Sequence, residues 1–176
     1  MPLANTLPSI AREVRVYSGR HYNTDRQVFK AFSQKTGIKV RLIEATGITL
    51  VERLKREGKN SNADVILLVD AARINNAAKE NLLAPIQSEQ IKKNVPARYR
   101  DPKNRWFGLT RRVRAIIVNP NLVNPSSIKT YEDLAKSSLK GKLCLRKRKN
   151  VYNQSLVADQ IVLKGEANAT NWVKGM

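Results

Sequence analysis

Five consecutive apolar residues, Val65-Ile66-Leu67-Leu68-Val69, constrain this chain more than any other feature. A strand over residues 63–69 with no polar alternation is the pattern of a strand covered on both faces, which is typical of parallel sheets. The segments before it fit such a sheet. Residues 14–17 read as a short strand, and Thr24-Asp25-Arg26-Gln27 fits a capping box for a helix carrying Val28, Phe29 and Phe32 on one face, with Gly37 as its stop. Ile38, Val40 and Leu42 alternate with polar residues as a second strand, and Leu50, Val51 and Leu54 recur at helical spacing before Gly58. A helix over 71–82 follows the apolar run. The resulting β-α-β-α-β-α order predicts right-handed crossovers and a mostly parallel sheet with helices on both sides. In such sheets ligands bind at the carboxyl ends of the strands, where Ser18-Gly19-Arg20-His21-Tyr22 lies.

The second part of the chain is built less regularly. Residues 113–118 read as a strand ended by Asn119-Pro120-Asn121, Thr130 can cap a short helix through Leu134, and residues 142–146 read as a further strand. A charged loop, Arg146-Lys147-Arg148-Lys149-Asn150, leads to a helix over 154–164, with Tyr152 at the junction and another helix starting near Asn168. This organisation predicts a first α/β lobe over 1–110 and the start of a second over 111–176.

Charge and composition then exclude several functions. The chain carries 33 Lys/Arg against 14 Asp/Glu, a net charge of +19, and residues 100–150 hold 14 Lys/Arg against Asp101, Glu132 and Asp133. Such a stretch attracts nucleic acid, anionic lipid or acidic protein. It lacks the interleaved aromatics of a base-stacking platform and any helix-turn-helix pattern, so nucleic acid is not expected as a partner. The single Cys144 rules out an internal disulfide and a cysteine zinc cluster, and its mid-strand position predicts a buried, inert thiol. The one histidine, His21, has no serine or cysteine motif around it, and neither glycine-rich phosphate motif occurs, so no enzymatic activity is expected. No run approaches the ~20 apolar residues of a membrane-spanning helix. The opening Met1-Pro2-Leu3-Ala4-Asn5 lacks a basic region followed by an apolar one, so an export leader was either removed or never present. Taken alone, His21-Tyr22 also reads as a solvent-facing loop pair, and Tyr152 as a packing residue with a polar tip.

Four stretches together resemble the cyanobacterial-type ferric-binding proteins, the substrate-binding components of iron ABC importers. Val16-Tyr17-Ser18-Gly19-Arg20-His21-Tyr22-Asn23-Thr24-Asp25 looks like that family's first ligand loop. Asn62-Ala63-Asp64-Val65 with Val69-Asp70-Ala71-Ala72-Arg73 resembles its third strand and following helix. Trp106-Phe107-Gly108-Leu109-Thr110-Arg111-Arg112-Val113-Arg114 resembles the strand crossing toward the second lobe, and Tyr152-Asn153-Gln154-Ser155-Leu156-Val157-Ala158 the second ligand segment. The resemblance implies a two-lobed, type II periplasmic-binding-protein fold that closes on Fe(3+), with His21 and Tyr22 supplied by the first lobe and Tyr152 by the second. Phenolate oxygen suits a hard, highly charged cation, and a tyrosine must lose its proton to provide it. Arg112, Arg146 and Asn153 are expected behind these ligands or on an accompanying anion. The resemblance further implies a monomer in the periplasm that delivers iron to an ABC transporter permease in the inner membrane.

Three departures qualify that expectation. The family completes its ligand set with two adjacent tyrosines, and no Tyr-Tyr pair occurs here. The second lobe is expected to be incomplete. Lys147, Arg148 and Lys149 replace the small polar residues usual in the loop, and read as solvated surface charge or as a recruiter of an anion. A truncated relative without function, or a same-fold protein for a polyamine, thiamine or small anion, remain alternatives, with the His21-Tyr22 and Tyr152 spacing favouring iron.

Overall fold

The computed structural model describes residues 12–176; the opening residues on which the export leader was judged lie outside them. The described chain divides into two compact units that meet in sequence at Leu109 and Thr110.

In the first unit, β1 (Glu13–Ser18) is the middle strand of a wholly parallel three-stranded sheet in the order β2-β1-β3. It pairs over its full length with β2 (Lys39–Glu44), from Glu13↔Lys39 to Ser18↔Glu44, and over three residues with β3 (Val65–Leu67). The helices α1 (Asn23–Thr36), α2 (Gly47–Glu57) and α3 (Ala71–Lys79) follow the three strands in turn, the expected alternation, and a short α4 (Glu89–Asn94) comes later in the same unit.

Two expectations are corrected here. The apolar run yields a ladder of only three residues, with Val65 exposed and Ile66 and Leu67 half-buried. β3 is also an edge strand of the described sheet, hydrogen-bonded to β1 alone, and its side chains are not fully covered on either face. The capping box does not form either: Tyr22 occupies the N-cap of α1 and makes no side-chain capping bond. Capping does operate at α2, where the Thr46 hydroxyl accepts from Thr49 N–H, and at α3, where Asp70 accepts from Ala72 N–H.

The core of this unit centres on Tyr17, Leu50 and Leu54, with Ile43, Ala45, Ala63, Ile66 and Leu82 packed around them. Tyr17 is fully buried, and its hydroxyl donates to the Glu57 carboxylate at 3.0 and 3.1 Å. Burial, followed by that hydrogen bond, pushes the Tyr17 phenol above its ordinary pKa, so it stays neutral. Glu57 also accepts from Ser61 Oγ and pairs with Arg53, whose hydrogen bond holds its carboxyl below the usual range. Farther along, Asp101 is buried and accepts from the Arg105 guanidinium at 2.7 and 2.9 Å, while Arg105 Nη1 donates to the Ala78 carbonyl. This pair ties the 100–107 loop, closed by the Arg100↔Phe107 bridge, to the end of α3.

The second unit is helical at its C-terminal end. α5 (Val151–Lys164) and α6 (Glu166–Gly175) pack on one another, and α6 lies against the 3₁₀ turn Glu132–Ala135, where the buried Trp172 donates its indole N–H to the Tyr131 carbonyl at 2.6 Å. The predicted strands at 113–118 and 142–146 do not form; both stretches lack regular structure, and Val113 and Ile117 are each 88% exposed. A strand needs a partner to satisfy its backbone, and neither segment has one among the described residues. Cys144 is consequently exposed rather than buried.

Leu50 is 1% exposed, so Leu50→Ala should destabilise the first unit by about 2–5 kcal/mol in urea unfolding. Arg105 lowers the Asp101 pKa from 3.8 to about 2. A depressed folded-state value means that this contribution is complete above pH ~4 and is lost as pH falls toward 2. Thermal unfolding followed from pH 5 to 2 should therefore show a shallower decline in Asp101→Asn than in the parent chain.

Candidate metal centre

The loop that leaves β1 is fixed at its root. Gly19 N–H donates to the Leu67 carbonyl at 2.8 Å and the Ser18 carbonyl accepts from Ala45 N–H at 3.2 Å, so the strands on either side hold the point where the loop departs. Gly19 passes close to Gly47; a Cβ on Gly19 would meet the Gly47 Cα at 3.1 Å. Ser18 Oγ accepts from Arg20 N–H and donates to the Arg20 carbonyl, tightening the turn.

His21 and Tyr22 follow at the carboxyl edge of the sheet, both exposed. The His21 side chain is 62% accessible, with Nδ1 3.9 Å from the Glu44 carboxylate at the carboxyl end of β2. Glu44 is also paired with Arg26 from the first turn of α1. Tyr22 is 44% exposed, and among the described residues no hydrogen bond reaches its hydroxyl. The Arg20 guanidinium lies over its ring, 4.9 Å from the centroid, and Arg20 pairs with both oxygens of Asp25 at 2.7 and 3.1 Å. The first unit thus brings together His21, Tyr22 and Glu44.

In the second unit Tyr152 opens α5, just after the N-cap Asn150, whose side-chain oxygen accepts from Tyr152 N–H at 2.9 Å. Three guanidiniums surround its ring, with Arg112, Arg146 and Arg114 at 4.7, 5.3 and 5.7 Å from the centroid. Arg112 Nη1 donates to the Tyr152 hydroxyl at 3.0 Å, Arg114 donates to the Tyr152 carbonyl, and the Asn153 amide donates to the Arg146 carbonyl. The structure therefore gathers Arg112, Arg146, Tyr152 and Asn153 in one place. Lys147, Arg148 and Lys149 are exposed.

Arg114 and Glu44 were not singled out from the sequence. Arg114 stands two residues after Arg112, the spacing that repeats one side of an extended chain, and that spacing could have found it. Glu44 ends the strand adjacent to β1, so the parallel register alone brings it level with Ser18. Among the described residues no three His, Cys, Asp or Glu side chains cluster to hold a metal. Four of the five tyrosines divide by environment. Tyr17 is buried as a donor to Glu57, Tyr131 donates to the Arg114 carbonyl at 3.1 Å, and Tyr22 and Tyr152 are the two whose rings lie under the arginines of the candidate loops.

Comparison with known proteins matches residues 18–175 to the family described as bacterial extracellular solute-binding protein. Iron uptake protein A1 of Synechocystis sp. is 46% identical over 174 residues, covering 99% of this chain and 48% of the relative. The major ferric iron-binding protein of Neisseria meningitidis is 30% identical over 179 residues, covering 99% of this chain and 53% of the relative. Among solved structures, the Trichodesmium protein IdiA (FutA), in complex with iron and citrate ligands, superposes with a TM-score of 0.84 at 46% identity, covering 93% of this chain and 52% of that one. The chain thus has a periplasmic-binding-protein-like fold and spans about half the length of the relatives it matches.

The cap that seats Tyr152 is open to a direct test. Asn150→Ala removes the acceptor for Tyr152 N–H and should cost about 1 kcal/mol in urea unfolding, while Asn150→Asp, which keeps the acceptor, should cost much less.

Proposed function

Because the chain belongs to the bacterial extracellular solute-binding protein family, whose members are binding proteins and not enzymes, we propose that it carries ferric iron for an ABC importer, with His21, Tyr22 and Tyr152 as iron ligands. The observation that carries this reading is the exposed His21-Tyr22 pair at the carboxyl end of the central strand, in a chain similar along 99% of its length to an iron uptake protein. Phenolate oxygen and imidazole nitrogen suit ferric ion, a hard cation, far better than the exposed thiol of Cys144 does.

The positive charge around Tyr152 has a role in the same reading. Arg112, Arg114 and Arg146 offer planar guanidiniums, the groups that hold carboxylates in paired hydrogen bonds. The cargo is then ferric ion together with a carboxylate anion, and the anion compensates the guanidiniums that a bare trication would confront. Asn153 holds the Arg146 carbonyl and so fixes the backbone from which that side chain reaches the ring. Residues 1–110 and 111–176 correspond in this proposal to the first lobe and part of the second. The work is done in the periplasm, and the receiving partner is the importer's permease.

Titration of the protein with ferric citrate should develop a visible phenolate-to-iron charge-transfer band. Tyr152→Phe should diminish the band and weaken binding on the order of 10-fold or more. A titration with no band, or a band untouched by both Tyr22→Phe and Tyr152→Phe, would overturn the assignment.

A further inference from the structure

We infer that Asp25, acting through Arg20, is the positioning residue that holds the Tyr22 phenol in the orientation needed to ligate, an inference that rests on the iron reading above. The start of α1 lacks a side-chain cap. Tyr22 is the N-cap, a place where a short polar side chain ordinarily ties the loop to the first helical turn, and a phenol is too long and rigid to do so. Thr24 and Gln27, which could have made a capping box, do not supply that tie. The main chain at the helix entry is held by the backbone bond from Asp25 N–H to the Tyr22 carbonyl, at 3.0 Å. That bond fixes the main chain and leaves the Tyr22 ring free to turn about χ1 and χ2.

Arg20 restrains the ring. Its guanidinium is clasped by Asp25 through Nε at 2.7 Å and Nη2 at 3.1 Å, a paired geometry that fixes the plane of the group and not merely its position. One face of that plane lies 4.9 Å from the Tyr22 centroid. Both members of the pair are largely shielded, with side-chain exposures of 21% for Arg20 and 19% for Asp25, so solvent competes weakly with the clasp. Asp25 lies in the first turn of α1, where the helix dipole favours its charge. Arg20 is itself anchored by the two Ser18 Oγ contacts to its backbone. The ring is thus positioned by β1 through Ser18 and by α1 through Asp25.

The experiment uses the Tyr152→Phe chain, in which any charge-transfer band reports Tyr22. Adding Asp25→Asn should weaken ferric citrate binding by about 10-fold and displace the band, with far-UV circular dichroism unchanged. Asp25→Glu should recover part of the loss. Arg20→Lys should not, because an ammonium cannot form the paired bond and cover the ring together. Binding by the Asp25→Asn variant equal to that of its Tyr152→Phe parent would overturn the inference. An iron-free measurement separates it from the iron reading: the Arg20 side-chain protons should show upfield NMR shifts from the Tyr22 ring, and Asp25→Asn should abolish them. If the Tyr152→Phe chain gives no band, the ligand role of Tyr22 fails, and persistence of the shifts in Asp25→Asn then overturns the clasp itself.

Discussion

The pairing of β1 along both of its edges is the constraint on which the first unit depends. Six register pairs join it to β2 and three to β3, so its carboxyl end cannot move without breaking bonds on two sides. The bonds from Gly19 N–H and to the Ser18 carbonyl extend this restraint one residue beyond the strand. A loop that starts from so fixed a root needs few further contacts to be precise, which is why sites carried on regular elements hold their geometry better than sites on free loops. Tyr17, next to last in β1, completes the restraint from below: its buried phenol donates to Glu57 of α2, so the strand is coupled to the helix as well as to its neighbours.

Where the sequence pattern is local, it is legible. The periodicities around Leu50 and Leu54, the alternation through Val40 and Leu42 and the stop at Gly37 each state the conformation of one segment, and each element is present. Gly37 takes a φ of 71°, and its N–H bonds back to the Ser33 carbonyl, so the glycine ends α1 for the conformational reason that marks it in the sequence. Strands in the second unit are different in kind. Residues 113–118 have the composition of a strand, yet a strand is a property of two segments at once, and β-branched residues record only a readiness to pair. The exposure of Cys144 has the same cause, since among the described residues the stretch that holds it has no partner strand.

The candidate site was legible at the level of topology and illegible at the level of its supports. The β-α order locates His21 and Tyr22 at the carboxyl edge without any knowledge of side-chain positions. Their neighbours depend on how loops turn. Arg20 reaches Asp25 in the first turn of α1, whose N-cap is Tyr22 and not Thr24, and Arg112, Arg114 and Arg146 meet at Tyr152 although the third lies more than thirty residues from the first two. A count of Lys and Arg finds the charge but not the place where it converges.

The two units use their arginines in opposite ways, and the contrast bears on what the protein can hold. In the first unit Arg15, Arg20, Arg26, Arg53 and Arg105 each pair with a carboxylate, so their charge is spent internally. In the second, the ring of Tyr152 lies among three guanidiniums, and among the described residues no carboxylate pairs with Arg114 or Arg146. A trication brought to Tyr152 alone would add its charge to theirs, and like charges a few ångströms apart repel strongly wherever water is partly excluded. The repulsion is relieved if the cation arrives with an anion whose carboxylates match the guanidinium forks. On the proposed iron reading, a ferric carboxylate complex therefore suits this arrangement better than the free ion does, and the +19 net charge is compatible with that cargo.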